Sequence, residues 1–255
     1  MCLFTLVIYL VGVLSYSVRI AGVRTGKIAV SLALFGIMML VSRTSNSFLG
    51  PLLAKRLESG FSLDLLTDLR IVVGVSSAAV LLGFLLTPTA QRVFSRAIID
   101  FQSHRSIPRL IYRGLFKGGV TYSFNVAVLP GHNNLKGLIN HGVSIRVIAL
   151  NVMATALWTI GVLASIYAGA LNPELRVTSS TLSSVINGGA TIVMAVFIDP
   201  YISVVTEDAV EGRMSQGQFR RVIICLMVSR FVGTLVAQVF FVPAAYLISL
   251  VANVI

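Results

Sequence analysis

Three arginines stand where a membrane-grade chain keeps its residues apolar. Arg43, Arg146 and Arg230 each open or interrupt a long hydrophobic run. A cation at membrane depth costs about 2.5–3.5 kcal/mol on insertion scales, so such a residue faces a polar interior and marks a pathway or a site. Arg19, Arg24 and Lys27 cluster just before the second hydrophobic run, and Asn46 follows Arg43 by about one helical turn. The five arginines and Lys27 together read as a stepped series of cations across the membrane. Arginine suits phosphate because its planar fork binds two oxygens at once. The nine acids are Glu58, Asp64, Asp68, Asp100, Glu174, Asp199, Glu207, Asp208 and Glu211, and all are expected in loops or at span ends. Buried cations without buried anions favour an anionic substrate group, phosphate or carboxylate, and leave no intramembrane carboxylate for a proton relay. The plain alternative is that each arginine snorkels or caps backbone carbonyls, and that Asn46, Asn187, Gly188 and Gly189 serve helix packing.

Other candidate motifs are weaker. Residues 22–27 (GVRTGK) lack the four-residue glycine spacing and the Ser/Thr that a phosphate loop needs after its lysine. Glu207, Asp208 and Glu211 could share one helical face and hold Mg²⁺ against a pyrophosphate. Membrane enzymes that transfer polyprenyl groups use related acidic motifs, usually in two copies, and one is present here. The simpler reading is a solvated helix start, its acids favourable to the helix dipole and paired with Arg213, Arg220 or Arg221. His104, His132 and His141 have no metal-ligand spacing, and Cys2 and Cys225 lie far apart in apolar surroundings. No metal or other cofactor is expected.

The elements that must position these residues are membrane spans. The 255 residues are 56% hydrophobic and 11% charged, which is the composition of an all-α polytopic membrane protein. The net charge of +11 is spread over loops between apolar runs, which argues against nucleic acid as a partner and for positive-inside orientation and attraction to anionic lipids. Residues 2–14 lack the basic start and the cleavage site of a signal peptide and are expected in the first span. Six spans can be drawn in one membrane domain, at about 2–18, 28–49, 71–87, 143–170, 179–198 and 222–242. A further apolar segment, 243–255, is expected to follow a kink or break at Pro243. Pro88 ends the third span in this reading, and Asp199-Pro200 the fifth. From these limits Arg43 lies about 22 Å, and Arg230 about 12 Å, from the inner ends of their helices.

Loop charges set the orientation. The first, third and fifth loops carry Arg19, Arg24, Lys27, then Arg92, Arg96, Arg105, Arg109, Arg113, Lys117, Lys136, then Arg213, Arg220 and Arg221, thirteen in all. The second and fourth carry only Lys55, Arg56, Arg70 and Arg176. The odd loops are therefore expected to be cytoplasmic, with both termini outside. Within the third loop, Arg92 and Arg96, and again Arg109, Arg113 and Lys117, recur at a spacing of four opposite apolar residues. Both stretches read as basic amphipathic helices on the inner leaflet. Residues 119–129 are apolar but too short to span, and suit a re-entrant segment.

Several stretches resemble the Amj family, the alternate lipid II flippases of bacteria. They are YSVRIAGVRTGKIAV (16–30), LVSRTSNSF with GPLL (40–48 and 50–53), residues 206–221, VSRFVGTLVAQ (228–238) and VPAA (242–245). The likeness covers nearly the whole chain. It implies a multi-pass protein of the bacterial cytoplasmic membrane. Its substrate would be lipid II, the undecaprenyl-pyrophosphate-linked disaccharide-pentapeptide, carried from the inner to the outer leaflet for peptidoglycan synthesis. A membrane enzyme acting on polyprenyl pyrophosphates and a non-transporting accessory subunit are the alternatives. In the transport reading the substrate-binding residues are Arg19, Arg24, Lys27, Arg43, Asn46, Arg146 and Arg230, with Arg146 at the cytoplasmic mouth.

Overall fold

The computed structural model describes residues 1–58, 65–104, 128 and 142–255, and its regular elements there are helical. Helix α1 is Cys2–Thr25, α2 Ile28–Glu58, α3 Leu65–His104 and α4 Ile145–Leu171. A short 3₁₀ turn, Pro173–Leu175, leads into α5, Arg176–Val193, and a wide π-type turn, Met194–Ile198, joins it to α6, Asp199–Val210. Helix α7, Gln216–Val254, closes the chain. With α5 and α6 taken as one run, six segments are long and apolar enough to cross a membrane. The chain is an all-helical, multi-pass membrane protein.

The packing has two halves. In the first, α1 lies between α2 and α3; in the second, α4 lies between α5 and α7; α3 and α7 join them. The α1–α2 hairpin is set by Gly26, whose φ of 68° ends α1 in the left-handed conformation that glycine adopts without strain. The Gly26 and Lys27 amides donate to the Val23 and Gly22 carbonyls, and α2 starts one residue later. Farther along, the Ser42 hydroxyl donates to the Ile8 carbonyl at 3.1 Å and ties the two helices together. Between α4 and α7 the backbones approach so closely that a Cβ on Gly233 would stand 2.8 Å from the Val152 carbonyl oxygen and from Thr155 Cβ. Asn151 Nδ2 crosses the same seam and donates to the Leu226 carbonyl at 2.9 Å and to Ser229 Oγ at 2.6 Å. Helix α2 is sparsely covered, with only Ser31, Ser42, Leu49 and Leu53 buried.

Several boundaries differ from the sequence reading. Helix α3 runs through Pro88 to His104, so the basic stretch holding Arg92 and Arg96 extends the third helix. Helix α7 continues through Pro243 to Val254 with no break. Proline removes one backbone donor, but neighbouring helices can tolerate that within a membrane. The α7 start lies six residues before the hydrophobic run, because Ser215 and Gln218 form a reciprocal cap. Ser215 Oγ accepts from the Gln218 amide at 3.2 Å, and Gln218 Oε1 accepts from the Ser215 amide at 3.0 Å.

The fifth segment does not end at Asp199-Pro200 but extends to Val210. A proline there has no amide to donate and its ring crowds the preceding turn, and the wide turn at Met194–Ile198 makes room for it. Glu207, Asp208 and Glu211 consequently sit at a helix end rather than a helix start. Acids are unfavourable to the dipole at that end, and Arg213 offsets them, bonding Asp208 at 2.7 Å and pairing with Glu211. Residues 119–127, most of the proposed re-entrant stretch, and Arg109, Arg113 and Lys117 lie outside the described residues.

Candidate substrate-binding cavity

With α7 beginning at Gln216, Arg230 lies fourteen residues, about 21 Å, along it. Arg43 lies fifteen residues, about 22 Å, from the start of α2 at Ile28. The sequence reading placed these two cations about 10 Å apart in depth. Both line one cavity of about 450 Å³.

Its walls come from most of the fold. Helix α1 supplies Tyr9, Gly12 and Tyr16; α2 supplies Phe35, Gly36, Leu40 and Arg43; α4 supplies Trp158. The fifth segment adds Thr191, Met194, Ala195, Asp199 and Ile202, and α7 adds Arg230. Half-buried Arg230 donates from Nη1 to the Gly12 carbonyl at 3.3 Å, and its guanidinium carbon lies 5.5 Å from the Tyr16 ring centroid. A Cβ on Gly12 would stand 3.6 Å from the guanidinium, in ordinary van der Waals contact. Arg43 is exposed on the α2 face that borders the cavity.

Arg19 lies below the cavity, six residues or about 9 Å from the end of α1. It is buried, its guanidinium carbon stands 4.4 Å from the centroid of Phe35, and its Nε and Nη1 have no hydrogen-bond partner. A buried cation with unused donors is costly unless an anion or water reaches it. Arg24 and Lys27, both exposed, share a wider, shallower depression of about 820 Å³ with Arg92, Ser95, Arg96 and Asp100 of α3. The cations thus fall into three groups: the α1–α3 mouth, Arg19, and the cavity pair Arg43 and Arg230.

Two other candidates stand apart. Arg146 is exposed in the first turn of α4 and lines neither space. Asn46 borders a crevice of about 10 Å³ with Thr5, Tyr9 and Thr159, a packing defect rather than a binding site. One participant was missed. Asp199, expected at a span end, lines the cavity between Arg43 and Arg230, about 16 Å from the end of α6 at Val210. The Asp-Pro pair looks like a stop signal. The apolar residues Tyr201, Ile202, Val204 and Val205 beyond it were the sign that the span continues.

One side of the cavity is open. Helix α2 packs on α1, α3 and α4 and makes no close backbone approach to α5, α6 or α7 among the described residues. Leu40 and Val41 on α2 and Val196 and Phe197 on the fifth segment are exposed apolar side chains. A charged interior with an apolar-lipped lateral opening is suited to a molecule with a polar head and a lipid tail.

No solved structure matches the chain. A curated relative, the lipid II flippase Amj of Bacillus subtilis (strain 168), is 34% identical over 250 residues, which cover 96% of this chain and 93% of that protein. The family model Amj, described as "Alternate to MurJ", matches residues 4–252, and with nearly the whole length matched the chain belongs to the Amj family.

Proposed function

We propose that this protein is a lipid II flippase of the bacterial cytoplasmic membrane, moving the undecaprenyl-pyrophosphate-linked precursor from the inner to the outer leaflet. One observation carries the reading: Arg43 and Arg230, on two different helices, line one cavity whose two outer walls, α2 and the fifth segment, do not meet. Lipid II carries its pyrophosphate between an apolar tail and a polar head. The arginines receive the pyrophosphate, while the gap between α2 and the fifth segment lets the tail stay in lipid. At about 450 Å³ the cavity takes the pyrophosphate and the adjoining sugar, and the remaining head group extends out of it. Arg24 and Lys27 gather the anion at the cytoplasmic mouth, where anionic lipids also concentrate, and Arg19 is the step between. Both termini lie outside, and Arg146 assists at the inner interface without entering the cavity.

The competing enzyme reading relies on Glu207, Asp208 and Glu211. Two of those three are engaged by Arg213, which leaves them poorly placed to hold a metal ion. The deciding experiment is depletion of the other lipid II flippases. The protein alone should sustain growth and lipid II should be accessible at the outer face. An accessory subunit would support neither. Mg²⁺-dependent covalent change of the substrate by purified protein, lost in Asp208→Ala, would replace transport by catalysis.

A further inference from the structure

A transporter must hold its substrate weakly enough to let it leave. Arg43 and Arg230 face one space, with unpartnered Arg19 below, so a pyrophosphate drawn in would meet several guanidiniums at low dielectric. The charged groups around the cavity are few. Helix α2 offers Arg43 and α7 Arg230; the lining residue of α4, Trp158, is uncharged, and the fifth segment contributes Asp199, while Arg19 of α1 stands behind the lining residue Phe35. Asp199 is thus the one carboxylate among the lining residues. It makes no ion pair with these arginines within 4.0 Å. It directly follows the wide turn, as the first residue of α6 and just before Pro200.

We infer that Asp199 is the release group of this cavity, a fixed carboxylate that competes with a lipid pyrophosphate for Arg19, Arg43 and Arg230 and so sets how fast the anion leaves. The inference rests on the flippase reading and adds to it a residue that limits affinity. Asp199 also sits in the first turn of α6, where a carboxylate favours the helix dipole. A purely structural role would therefore appear as altered stability without altered anion binding.

The test uses the full-length protein in lipid nanodiscs, with farnesyl pyrophosphate as the anionic probe and farnesol as its uncharged counterpart. Asp199→Asn keeps the shape and removes the charge. It should bind farnesyl pyrophosphate about tenfold or more tightly, with slower dissociation and unchanged farnesol binding. The gain should shrink as salt is raised, because the competing interaction is electrostatic. Asp199→Glu should behave nearly as the wild type. If the wild type prefers farnesyl pyrophosphate and Asp199→Asn binds it no more tightly, the release role is wrong while the flippase reading stands. If the wild type shows no preference for the pyrophosphate over the alcohol, both fall.

Discussion

Replacing Arg230 by glutamine tests the site most directly, because the structure separates its two duties. Within the fold the guanidinium makes one long hydrogen bond, 3.3 Å to the Gly12 carbonyl, and a distant ring contact at 5.5 Å. Glutamine can still donate to a carbonyl, and removing a half-buried cation relieves a desolvation cost, so stability should change by no more than about 1 kcal/mol. The remaining guanidinium donors face a cavity that also holds Arg43. A hydrogen bond to a charged group contributes about 1.5–3 kcal/mol, which converts to roughly a ten- to hundredfold loss in binding. Arg43→Gln should lose a similar amount, and the two together should be non-additive because they share one ligand. Arg230→Lys keeps the charge but loses the two-pronged fork and should also be impaired. The assay is complementation of cells depleted of other flippases, normalised to membrane protein level. If the arginines only snorkel or cap carbonyls, neutral variants would accumulate equally or better and keep full activity. Full complementation by Arg43→Gln and by Arg230→Gln would end the proposal of a central arginine site.

Gly36 lines the cavity and an added Cβ there would meet nothing within 4 Å, so Gly36→Trp should fold and reach the membrane normally while filling the space and abolishing transport; retained transport with normal levels would place the route elsewhere. Gly233→Val drives a branched side chain into the Val152 carbonyl and Thr155, so it should cost about 1–3 kcal/mol or more, seen as a lower melting temperature in detergent. Orientation is checked with single cysteines in a Cys2→Ser, Cys225→Ser background. A probe at Asn172 should be labelled by an impermeant reagent in intact cells and one at Gly212 should be protected, and the reverse pattern would invert the topology. Arg146→Ala should reduce transport far less than Arg230→Gln, because Arg146 lines no part of the cavity; an equal loss would show that substrate contacts the first turn of α4.

Much of this protein was legible one residue at a time. Apolar content is local and additive along the chain, so the six spans and the membrane class followed from hydropathy. Arg43 and Arg230 stood out for the same reason: charges inside apolar runs are visible without a fold. The stretches around Arg19, Arg43 and Arg230 also carried the family resemblance. Span ends were less legible. Prolines that stop a soluble helix are absorbed here, at Pro88 and Pro243 inside continuous helices and at Pro200 by a wide turn.

What the residues do together was decided in three dimensions. A serine–glutamine cap starts α7 six residues before its hydrophobic run, so the helix that carries Arg230 is longer than hydropathy alone draws it. The close approach of α4 and α7 at Gly233 and the α1–α2 tie at Ser42 then bring the two arginines to one cavity. The same packing leaves Arg146 outside and confines Asn46 to a crevice. It also brings in Asp199, whose neighbours in the chain made it look like a loop residue. Hydropathy places a residue along its own helix, but only the packing of helix on helix decides which charges share a space.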